Sequence, residues 1–107
     1  IPHLLPVFNG IQSNIYINSE KVRYEEVLTI LKNYYKNETF VHVDYKGIPK
    51  LSDVQNTNNV KISVFTNKSK KTIIIMSLLD NLIKGAAGQA IQNMNLMFDF
   101  KEHESLL

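Results

Sequence analysis

Asp80 and Asn81 stand side by side in a run from Leu79 to Asn93, in which Gly85 and Gly88 lie three residues apart among Ala86, Ala87 and Ala90. At a helix start, Asp or Asn accepts a backbone N–H, and a carboxamide both donates and accepts toward another amide. One reading has the pair simply capping a helix. The other has Asp80 capping while Asn81 points out toward a ligand. Each glycine costs a helix interior about 1 kcal/mol relative to alanine. Two glycines and three alanines make a small-residue surface, suited either to tight packing within the domain or to close approach by a second domain, a cofactor or a second subunit. Lys84 beside that surface reads as a solvated charge.

Little else in the chain is arranged for chemistry. His3, His42 and His103 show no metal-ligand spacing. Asp44, Asp53, Asp80 and Asp99 form no acid/base pair, Gly85-Ala86-Ala87-Gly88 is not a dinucleotide fingerprint, and no nucleophile elbow is present. The absence of Cys excludes disulfides, thiolate metal sites and cysteine nucleophiles within these 107 residues and fits a cytoplasmic location. The formal net charge is only +2, and of 12 basic residues Arg23 is the sole Arg, which argues against a nucleic-acid surface. Lys68, Lys70 and Lys71 mark a turn, where solvation accounts for them. With no apolar run long enough to span a bilayer, no membrane segment is expected.

The elements that must hold Asp80 and Asn81 can be read from periodicity. Residues 1–10 are extended or turning, with Pro2 and Pro6 restricting the backbone and Asn9-Gly10 signalling a turn. Residues 11–18 alternate as a strand. Ser19 suits an N-cap, and Val22, Tyr24, Val27, Leu28, Leu31 and Tyr35 recur at helical spacing over residues 21–35. Residues 39–43 form a short strand, and 46–59 a long polar loop of the kind that often carries function. Residues 60–66 and 72–79 make an antiparallel hairpin, and a second helix runs from about Asp80 to Leu96. This order predicts one α+β domain over residues 1–107, a mostly antiparallel sheet with both helices on one face. The other face would be open or would meet a partner. A chain opening on Ile1-Pro2-His3, without Met, is expected to be a piece of a longer product.

Three segments together resemble N-acetyl-γ-glutamyl-phosphate reductase, a member of the glyceraldehyde-3-phosphate dehydrogenase-like superfamily. Pro2-His3-Leu4-Leu5-Pro6-Val7 followed by Gly10-Ile11 is similar to the family's Thr-Pro-His-Leu-x-Pro-Met-x-Arg-Gly-Ile. Val54 to Asn58 is similar to Val-x-Gly-Thr-Asn, and Asp80 to Leu96 follows Asp-Asn-Leu-x-Lys-Gly-Ala-Ala-Gly-Gln-Ala almost residue for residue. The resemblance implies an NADPH-dependent enzyme of arginine biosynthesis, with an N-terminal Rossmann domain and an α+β C-terminal domain. A Cys attacks the acyl phosphate to form a thioester, and hydride reduces it to N-acetyl-glutamate 5-semialdehyde. This chain lacks both that Cys and the nucleotide-binding half, so it is expected to be the C-terminal domain, inactive alone.

By the same resemblance Asn81 and Gly85 are expected at the NADP cofactor, and His3, Asn9 and Gly10 along the substrate pocket, with no catalytic or metal-binding residue here. Partners would be the chain's own Rossmann domain, a second copy and a small-molecule substrate. Three departures stand out: Asn9 for the family's Arg, Asn56 for Gly, and Asp99 for Gly. Asn9 cannot replace the charge of an arginine or its bidentate geometry. The competing reading is a free-standing α+β dimerisation or binding module without catalysis.

Overall fold

The alternation seen in the sequence becomes a four-stranded sheet. The computed structural model describes His3, residues 5–43, the backbone of residue 44, and residues 47–106. Elements follow in the order β1 (Ile11–Asn18), α1 (Tyr24–Tyr35), β2 (Val41–Asp44), β3 (Val60–Thr66), β4 (Thr72–Leu79), a π-helical turn (Ile83–Ala87) and α2 (Gly88–Met97). The expected extended run over residues 1–10 falls partly on Ile1, Pro2 and Leu4, outside the described residues.

The sheet order is β1-β4-β3-β2. Both pairings of β4 are antiparallel, and β2 joins β3 in parallel. The expected α+β class is what the chain adopts. Cross-strand partners share a face, so Val60, Ile62 and Val64 line up with Leu79, Ser77 and Ile75, and these in turn with Ile11, Ser13 and Ile15. This face is almost wholly apolar. It is shielded at Val64 and Ile73, but opens at the β1 edge, where Ile11, Ile15 and Ile17 remain 45%, 50% and 37% exposed.

Helix α1 lies against β2 and β3. It starts at Tyr24 rather than near residue 21 because the Ser19 hydroxyl is used in the preceding turn, accepting the N–H groups of Lys21 and Val22 at 3.2 Å each. Glu26 then reaches back to the Arg23 N–H, closing the start of the helix. Helix α2 packs chiefly on the π turn that precedes it. The long loop is ordered where described: it forms a short 3₁₀ turn at Leu51–Asp53 and buries Val54 and Asn58 almost completely.

Candidate functional site

The last strand delivers Asp80 to a point where three segments meet. Its carboxylate is fully shielded from solvent. Oδ1 accepts the N–H groups of Leu82 and Ile83 at 2.8 and 3.1 Å, the capping expected of it. Oδ2 accepts the Asn56 N–H at 2.7 Å and the Asn9 side-chain amide, one from the 54–58 turn and the other from the segment before β1. Burial pulls the carboxyl pKa upward, but these donors outweigh it and hold Asp80 below the ordinary carboxylate value.

Asn81 faces the same junction. Its Oδ1 accepts the Gly10 N–H at 2.6 Å. Because a backbone N–H can only donate, the orientation of this carboxamide is fixed, with its oxygen turned to Gly10. The amino group carries no hydrogen bond among the described residues, so Asn81 is available as a donor. Gly10 sits at φ +119, a backbone that favours glycine, and a Cβ there would force the Leu51 side chain, 2.7 Å away, to shift.

The structure brings Asn9, Gly10 and Asn81 together and leaves His3 exposed at the start of that segment. Asn9 is itself buried. Its amide donates to Asp80 and, at 3.3 Å, to Asn56 Oδ1, while Gln55 Nε2 donates to both its Oδ1 and its backbone carbonyl.

The two glycines of the final helix part company. Gly88 is buried, and a Cβ there would lie 2.3 Å from Asn58 Oδ1 and 2.9 Å from the Ile83 carbonyl oxygen. Its role is internal packing. Gly85 is exposed, and a Cβ there would make only ordinary contacts of 3.7–3.8 Å. The helix start is wider than the regular helix the periodicity predicts: the Gly85 N–H closes on the Asp80 carbonyl at 2.9 Å and the Gly88 N–H on that of Ile83. Such π turns concentrate at functional sites.

Sequence reasoning missed a polar network behind this turn. Lys84 is not simply solvated: its ammonium donates to Gln92 Oε1 at 2.6 Å and lies 5.6 Å from the centroid of the Phe40 ring. Burial lowers its pKa, against the pull of Glu102 and Glu38. Asn58 shares the same Gln92 oxygen at 3.0 Å, and Gln92 donates onward to Glu102 at 2.7 Å. The available signal was the inward stripe of α2 itself, Gly88, Gln92 and Asn95, which is polar. Among the described residues no three His, Asp or Glu side chains converge as a metal site would require.

Residues 1–81 match the family described as "Semialdehyde dehydrogenase, dimerisation domain", and the chain belongs to it. N-acetyl-gamma-glutamyl-phosphate reductase of Clostridium botulinum (strain Eklund 17B / Type B) is 49% identical over 98% of this chain and 31% of its own length. The reductase of the same name from Caldicellulosiruptor saccharolyticus is 44% identical over 99% of this chain and 31% of its own length. The chain thus spans about a third of these curated relatives. Aspartate semialdehyde dehydrogenase II of Vibrio cholerae shares the fold, with a TM-score of 0.65 over 89% of this chain and 29% of that structure, at 21% identity.

Proposed function

We propose that this chain is the C-terminal dimerisation domain of an NADPH-dependent N-acetyl-γ-glutamyl-phosphate reductase, which converts the acyl phosphate to N-acetyl-glutamate 5-semialdehyde in the cytoplasm, and that it is inactive without the rest of the enzyme. The observation that carries this reading is near-half identity along the whole chain to reductases three times its length. The cysteine nucleophile and the nucleotide cradle would both belong to polypeptide outside these 107 residues, which contain no Cys and no phosphate-binding loop.

Helix α2 supports the docking of that polypeptide. It turns Gly88, Gln92 and Asn95 inward, while Met94, Leu96 and Met97 are 44%, 55% and 78% exposed and Phe98 just beyond is 66% exposed. A helix with its polar side inward and its apolar side outward lacks half of its packing. The missing half is assigned to the chain's own Rossmann domain, and the open apolar face at β1 to a second copy.

The residues present fit a nicotinamide. Asn81 offers a free N–H₂ to the carboxamide oxygen, and the exposed Gly85 leaves room for a flat ring. When bound, the cofactor supplies the hydride. Asn81 would orient its ring, while Gly10 and the buried Asn9 would shape the wall on the substrate side beside the exposed His3. The test is direct: the gene product carrying this chain with its upstream region should oxidise NADPH when given the acyl phosphate, and the 107-residue chain alone should not. Turnover by the pure short chain, or an upstream region without a dinucleotide-binding segment and a Cys, would overturn the proposal.

A further inference from the structure

We infer that Asp80 is the positioning residue of this site: one buried carboxylate locks the 5–10 segment, the 54–58 turn and the start of the last helix in register, so that Asn81 presents its amino group in a fixed direction. The inference rests on reading Asn81 as ligand-facing.

Capping alone would need only Oδ1, which takes the Leu82 and Ile83 N–H groups. The second oxygen is used elsewhere, by the side chain of Asn9, 71 residues away in sequence, and the backbone of Asn56, 24 residues away. Asn9 leads directly into Gly10, whose N–H holds the Asn81 carboxamide oxygen. Asp80 therefore acts on Asn81 twice, through the adjacent peptide and through the loop Asp80–Asn9–Gly10–Asn81. Gln55 clamps the same Asn9 from the other side at 2.8 Å. Only an ionised carboxylate serves all four donors, because a carboxamide has one acceptor oxygen and its nitrogen would face other donors.

The experiment uses the ¹⁵N-labelled full-length protein that carries this chain, as wild type, D80N, D80N with N9D, and N9A. In D80N the helix cap survives while the arm to Asn9 and Asn56 is lost. The Gly10 backbone amide and the Asn81 side-chain amide signals should shift, β3 and β4 signals should stay, and kcat/KM with NADPH should fall about tenfold, the weight of a hydrogen bond to a charged group. The double variant should restore both readouts in part, because the new amide at position 80 can donate to the new carboxylate at position 9. N9A should reproduce the Gly10 and Asn81 shifts without disturbing Leu82 and Ile83, and it decides the matter if D80N does not fold. Unchanged Gly10 and Asn81 signals in D80N and N9A, or no rescue by the double variant, would overturn the inference. The spectra are read without turnover, so loss of the reductase reading and loss of this inference are distinguishable.

Discussion

In the sheet, the side chains most completely removed from water are mainly apolar, Val64, Ile73 and Leu78, with Ser63 as the polar exception. Around the approach to α2, they are mainly polar, Asn9, Asn58, Asp80, Gln92 and Asn95, with apolar Val54 and Phe40 nearby. The first region is held by burial, which is non-directional and tolerates small shifts. The second is held by hydrogen bonds, which fix direction and leave a penalty wherever one is missing. Asn58 shows that penalty: its Oδ1 is buried and has no partner among the described residues, pressed where Gly88 lacks a side chain. A fold that needed only stability would fill this space with leucine. A domain that must aim Asn81 has reason to build its surroundings from groups with fixed angles.

Substitutions in the two regions should therefore fail differently. Leu78→Ala removes a side chain with no exposed surface, and should cost about 3–5 kcal/mol. Denaturant unfolding should show a lower midpoint for the whole domain, with amide protection lost throughout. Asp80→Ala strands four donors and should cost about 3 kcal/mol, but hydrogen exchange should rise first at Gly10, Asn56, Leu82 and Ile83 while β3 and β4 stay protected. If both variants lose protection evenly, the two regions are one cooperative unit and the contrast fails. Acid should act in the same sense. The folded pKa of Asp80 lies below its ordinary 3.8, so its contribution is complete above that value and is lost as pH falls through the folded pKa. Wild-type stability should drop below about pH 4, and by less in Asp80→Ala.

The sheet was legible because its signal is local. The strands 11–18, 60–66 and 72–79 match the observed β1, β3 and β4 residue for residue, the first two read from alternation along the chain and the third from a nearly unbroken apolar run. The parallel β2–β3 pairing and the π turn were not legible, as both depend on contacts between distant segments. The same holds for the site. Asp80 could be read as a cap from its place before a helix, but Asn9 and Asn56 as its partners could not, because nothing in local spacing says which donors will reach a carboxylate from 71 and 24 residues away.

The glycine pair gives a sharper test, with opposite signs three residues apart on one backbone. Gly88→Ala places a methyl 2.3 Å from Asn58 Oδ1 and 2.9 Å from a backbone oxygen that cannot move aside. It should cost about 1–3 kcal/mol despite alanine's better helix propensity. Gly85→Ala meets nothing closer than 3.7 Å and should raise stability by up to about 1 kcal/mol. If Gly85 faces the cofactor in the longer protein, that same methyl should weaken NADPH binding while the melting temperature rises. Destabilisation by both substitutions would mean the exposed and buried faces of this helix are not distinct.

The smallest effect falls on the departures from the family pattern. Asn56 and Asp99 stand where the resemblance expects glycine, and both have left-handed backbones, at φ 61 and 57. Asn and Asp are the side chains that enter this region at least cost, so the turns keep their shape and the Asn56 N–H still reaches Asp80. Asn56→Gly should then relieve a few tenths of a kcal/mol of strain while the unfolded chain gains freedom. It also removes the side-chain oxygen that accepts from Asn9 at 3.3 Å. The net change should stay within about 0.5 kcal/mol, measured by thermal unfolding. A larger loss would mean that the Asn56 side chain, not merely its backbone, is part of what holds the polar region together.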